Sequence, residues 1–263
     1  MIVSMFNSWH FVWILIYTGM FACFYFGLRN KAKQQQGWFI YGLILVNFVI
    51  HFAAPAMVAS DMADFTFRIS LRNICAVLVF VSPFLFWQRD HFLKPGWLYA
   101  SMIGGFVIFI NPTDAIGYHP FSFDVIRFFI QHGLLFTVVV LLISFNHEQL
   151  RWQDIWTTPV VMILVIVIVI ANNAILQVIG VLEDMRRSNA AFQWHPSFLE
   201  AVFGWAIPSV FRTIPFGEHA GTQGYWPLFY KLPLFAIGFP LVSAGINGIN
   251  IGLRKIKHSK DKD

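Results

Sequence analysis

The chain has 263 residues, 57% of them hydrophobic and 12% charged, with a mean hydropathy of +0.64. A soluble domain of this length carries about twice that share of charge, and several runs here reach the roughly 18 apolar residues that mark a bilayer span. A soluble globular class is therefore excluded. The net charge of +5 is no nucleic-acid signal, because the basic residues fall mostly between apolar runs and in the tail, where they orient a membrane protein.

Seven helices are predicted, at about 8–28, 37–59, 69–88, 96–112, 124–145, 154–180 and 225–250. Only helices or closed barrels satisfy the backbone in lipid, and these lengths suit helices. The fold class is thus all-α, a single polytopic membrane domain over 1–263. The first segment, "MIVSMFNSW", has no basic n-region, and no A-x-A-like site follows, so it is read as a retained helix. Between 181 and 224 lies one long connection. Within it "SFLEAVFGWAIPSVF", 197–211, is apolar but too short to span, which suits an interfacial helix or a re-entrant cap.

The connections alternate in charge. Those at 29–36, 88–96 and 146–154, with the tail, carry eleven Lys and Arg; the other side carries seven. The positive-inside bias then puts the N-terminus outside and the C-terminus in the cytoplasm, as an odd number of spans requires. Cys23 and Cys75 both lie in apolar segments, so a disulfide framework is not expected. No metal-type Cys/His spacing, P-loop or glycine fingerprint occurs, and no cofactor is implied.

Polar residues gather at one depth. Cys75 lies about six residues below the outer end of the third predicted helix, roughly 9 Å, and His132 about eight residues down the fifth, roughly 12 Å. His51, Asn172 and Asn173 fall at a similar level, with Arg72, Asn73, Asn111 and Arg127 ringing the layer above and His10 topping the first helix. The inner halves, "AVLVFVSPFLFW" and "LLFTVVVLLISF", hold no ionisable group. Polar groups are costly in lipid, so they face one another or a wet cavity. Their distribution implies a chamber open toward the outer leaflet.

A cysteine and a histidine at matched depth suggest a thiol nucleophile with its general base. Arg72, three residues before Cys75 and so on the same helical face, would favour a thiolate or bind phosphate. The asparagines would orient the histidine or donate to an oxyanion. The plainer alternatives are that Cys75 packs, that His132 and the asparagines join helices, and that Arg72 and Arg127 snorkel to the interface. Cys23 has no polar companions and is read as packing.

These residues carry a resemblance. "MFNSWHFVWIL", "SLRNICAVLVFVSPF", "GGFVIFINPTD" and "FDVIRFFIQHGLL", in order over about 5–145, resemble the bacterial YwaF-like integral membrane proteins. That family is similar to a eukaryotic transmembrane acyltransferase of ether-phospholipid remodelling, and more remotely to androgen-dependent hydrolases of fatty-acid esters. The resemblance implies Cys75 as nucleophile and His132 as base. The sequence departs from the family at Asn73, where a histidine stands, and at Ala76, where an acid is usual. The expected function is an intramembrane Cys/His enzyme acting on membrane lipid acyl esters by transfer or hydrolysis. A carrier or lipid-binding protein and a structural membrane subunit are the rivals.

Overall fold

The Asn7 side chain accepts the His10 amide at 3.0 Å and so caps α1, Ser8–Leu28. The computed structural model describes residues 2–4, 6–88, 92–110, 112, 115–181, 237–238 and 240–248. One stripe of α1, holding His10, Trp13 and Tyr17, is buried, while Phe11, Leu15 and Ile16 point outward. An outward apolar surface of this kind suits lipid rather than water. His10 is fully buried: its Nδ1 accepts the Phe6 amide at 3.1 Å and its Nε2 donates to the Ile108 carbonyl at 2.6 Å. With both nitrogens so engaged, His10 fastens the chain start to its neighbours instead of lining a chamber.

The second helix, α2, runs Lys33–Phe52, four residues earlier at its start than predicted and seven earlier at its end. Lys and Gln are good helix formers, so the polar "KQQQ" joins the helix, and the Gln36 amide donates to the Leu28 carbonyl at 3.0 Å. Pro55, in a 3-10 turn at Ala54–Met57, ends it. A short helix, α3, Met62–Ile69, was not anticipated; Asp61 caps it by accepting the Asp64 amide at 2.8 Å. Arg68 pairs with Asp64 at 2.8 Å and with Asp124 at 2.9 Å.

The predicted third span is broken. Ser70 is extended, residues 71–73 are not helical, and α4 begins only at Ile74, running to Trp87 at 70° to α3. Next come α5, Lys94–Ile110, and α6, Phe123–Ser144. The Trp97 indole donates to Ser82 Oγ at 3.0 Å, and that hydroxyl donates to the Leu78 carbonyl at 2.6 Å, joining α4 to α5. Between α5 and α6 the backbones touch: a Cβ on Gly105 would lie 2.6 Å from both the His132 carbonyl oxygen and the Phe136 nitrogen. Only glycine fits there. Tyr17 of α1 bonds the Gly133 carbonyl and the Thr137 hydroxyl of α6.

These elements make up one compact unit, Met1–Ser70 with Cys75–Leu150. The second unit, Leu71–Ile74 with Arg151–Asp263, holds a 3-10 turn at Trp152–Trp156, α7 at Thr157–Val178 and helical residues at 240–248. Thr158 and Ser243 bond through their hydroxyls at 3.3 Å. The predicted outer connection at 181–224 falls outside the described residues, apart from Val181, and so does most of the predicted last helix.

Among the described residues, three helices are long and apolar enough to cross a membrane, or four if the bent pair α3–α4 forms one span. α5, at 17 residues, falls just short. α2 has the length, but Lys33, three glutamines, Asn47 and His51 dilute it. The chain is a helical membrane protein.

Candidate functional site

Cys75 is the second residue of α4, and its half-buried thiol faces α5, where Sγ lies 3.5 Å from the position a Cβ on Gly104 would take. The next residue, Gly105, lies against the backbone of α6 at His132. Adjacent glycines of α5 therefore touch the thiol on one side and the histidine's main chain on the other, about one residue's rise apart, roughly 1.5 Å. The pair was missed in the sequence reading, although "IGGF" inside an apolar run signals close helix packing.

His132 is buried and packs at a tilt against Phe128, with ring centroids 4.3 Å apart. Its Nδ1 donates to the Phe128 carbonyl at 2.8 Å. That bond selects the tautomer with the proton on Nδ1 and makes Nε2 the acceptor, the state a general base needs. One position earlier, the Gln131 carbonyl accepts the Asn47 amide at 3.2 Å, while the Gln131 side-chain oxygen accepts Arg127 Nε at 3.4 Å. Arg127 also donates to the Arg68 carbonyl at 3.0 Å, binding α6 to α3. His51 is buried in the last turn of α2, edge-on to Phe52 at 4.5 Å.

The remaining predicted residues divide otherwise. Arg72 precedes α4 in non-helical chain, so the expected one-turn relation to Cys75 on a shared helical face does not hold; the Ser70–Asn73 break removes it. Arg72 and Asn73 belong to the second unit with Asn172 and Asn173. There the Leu71 amide donates to Asn172 Oδ1 at 3.2 Å, and Asn172 donates to Asn173 Oδ1 at 3.5 Å. Asn172 thus supports the backbone of the break. Asn111 lies outside the described residues. Cys23 is exposed on α1 rather than packed, and both thiols are free. Among the described residues, no group of three or more His, Cys, Asp or Glu side chains could hold a metal ion.

A family comparison covers this whole arrangement. The model of the TMEM164 family matches residues 5–193, which include α1 to α7 and with them Cys75, Gly104, Gly105 and His132. The chain belongs to the TMEM164 family. For this family member the match ends before the helical residues at 240–248, leaving the C-terminal part outside it. No curated protein and no solved structure matches the chain.

Proposed function

We propose that the chain is an intramembrane thiol enzyme acting on the acyl esters of membrane lipids. His132 Nε2 takes the Cys75 proton as Sγ attacks the ester carbonyl. The tetrahedral adduct collapses, the C–O bond breaks, and His132 returns the proton to the departing lysolipid oxygen. The acyl group is left as a thioester on Cys75. A second lysolipid hydroxyl or a water, deprotonated by His132, then attacks the thioester; the acyl group departs as ester or acid and the thiol is restored. Transferase and hydrolase share the first half of this cycle.

The observation that carries the reading is the pairing on α5: Gly104 beside the sulfur, Gly105 against the His132 backbone. The Nδ1–H tautomer of His132 supports it, since it presents a basic nitrogen. So does the resemblance of the first half of the chain to YwaF-like proteins and, through them, to a transmembrane ether-phospholipid acyltransferase and fatty-acid-ester hydrolases. The proposed setting is the cell membrane, crossed several times, with the N-terminus outside, the C-terminus in the cytoplasm and the substrate drawn from the outer leaflet.

A second reading has its own support. Asn47 Oδ1 and Gln131 Nε2, one acceptor and one donor next to His132, are buried without partners among the described residues. A polar ligand held there without chemistry would satisfy both. A lipid-like fluorophosphonate or thiol-reactive acyl probe separates the two readings. An enzyme is labelled in the wild type, while Cys75→Ser and His132→Ala both lose the label. Labelling that survives His132→Ala marks an ordinary exposed thiol and removes the catalytic reading.

A further inference from the structure

At the far end of the first unit, away from Cys75, lies a cavity of about 600 Å³. It is formed where α2 begins, α4 ends, α5 begins and the chain leaves α6, and is lined among others by Lys33, Trp38, Trp87, Lys94, His147 and Glu148. Along α4 it is 12 residues from Cys75, about 18 Å at the helical rise. Its size is that of a small-molecule site. By comparison, the void beside Asn47 and Ser82 in the same unit is about 10 Å³.

Among the described residues that line the cavity, the charges do not cancel. Lys94, buried, pairs with Glu148 at 2.5 Å and donates to the Phe86 carbonyl at 3.0 Å. Lys33 is exposed; it donates only to a neutral carbonyl, that of Asn146 at 3.2 Å, and no carboxylate pairs with it among the described residues. His147 Nε2 is buried with no partner among the described residues. Burial, then the charge of Lys33, hold that imidazole below its ordinary pKa, with Glu148 opposing. Among the described residues, a ring nitrogen without a partner and an ammonium without a carboxylate line one cavity, and an anion would satisfy both.

The cavity lining is also aromatic. Trp38 and Trp87 stand 5.0 Å apart, Phe86 and Tyr41 pack against Trp87 at 5.1 Å each, and both indoles are half exposed. Half-exposed tryptophans belong at the level of lipid headgroups. This end of the unit also carries the exposed Arg29 and Lys31, the basic bias that attracts anionic lipid.

We propose that this cavity is a second binding site, separate from the Cys75–His132 region, which takes a phosphate-bearing anion: Lys33 and His147 hold the phosphate, and Trp38 and Trp87 flank the glycerol and first methylenes of an acidic phospholipid. The site stands independently of the catalytic reading.

The test is native mass spectrometry of the purified full chain in detergent, titrated separately with phosphatidic acid, phosphatidylcholine and inorganic phosphate. One phosphatidic acid should be retained per chain and phosphatidylcholine should not. Lys33→Gln and His147→Gln should each weaken retention about tenfold, the loss of one charge-assisted bond. Lys31→Gln, off the cavity wall, should leave it unchanged, with thermal unfolding confirming that each variant is folded. Inorganic phosphate that binds alone and displaces the lipid, with the same dependence on Lys33 and His147, would keep the site and assign it a soluble anion. Equal retention of the two lipids, or retention indifferent to both Lys33→Gln and His147→Gln, would overturn it.

Discussion

Replacing His132 by alanine is expected to lower turnover of a phospholipid acyl ester by about 10²- to 10⁴-fold, the range that a positioned general base supplies. One hydrogen bond of the ring runs to a carbonyl of its own helix, four residues back, and losing such a bond costs about 1 kcal/mol. His132→Gln is the sharper variant, because its amide can hydrogen-bond but cannot take a proton at neutral pH. It should fall as far as alanine. Turnover within a few fold of wild type in His132→Gln, with intact thermal unfolding, would mean that the ring only joins helices.

The second large effect belongs to Gly105. A methyl at this position would sit 2.6 Å from two backbone atoms of α6 and 2.8 Å from Phe136 Cβ. None of these is the free end of a flexible side chain, so α5 and α6 must separate. Overpacking of this kind costs about 1–3 kcal/mol, against which the better helix propensity of alanine returns at most about 1 kcal/mol. Thermal unfolding of Gly105→Ala should therefore shift downward. Because the contact is with His132 itself, a shift of about 1 Å is enough to lower turnover by roughly 10²-fold. Gly104→Ala is the matched comparison: its Cβ would meet Cys75 Sγ at 3.5 Å, an ordinary contact, and stability should be retained. If the two variants unfold alike, the close approach of α5 and α6 is not what holds this region together.

Much of the fold was legible because lipid imposes so few choices. Apolar length alone placed α1, α6 and α7 within a few residues, since nothing but a helix satisfies the backbone there. The misses have local causes. In α2, helix-forming glutamines extended the start and Pro55 ended it early. In the third predicted span, Asp61 and Asp64 cap a short helix, and the polar "SLRN" breaks the chain before Cys75. Both signals were in the sequence, but hydropathy averages them away. Depth along a helix gave only an expectation that Cys75 and His132 share a level; it counted Cys75 down a helix that is broken at Ser70–Asn73, and it carries no azimuth. Gly104 lies beside the Cys75 sulfur and Gly105 against the His132 backbone, and both are residues without side chains and so without any polar signal. Arg72 shows the same limit from the other side: its relation to Cys75 assumed a helix through the Ser70–Asn73 break.

The central claim is that an acyl group passes through the Cys75 sulfur, and the direct measurement is the intact mass of the purified protein after mixing with a phospholipid and quenching in acid. The account predicts a gain of one acyl chain, released by hydroxylamine, mapped to Cys75 and lost in His132→Ala. Lipid retained without a covalent adduct, or an adduct carried on Cys23 instead, would contradict it.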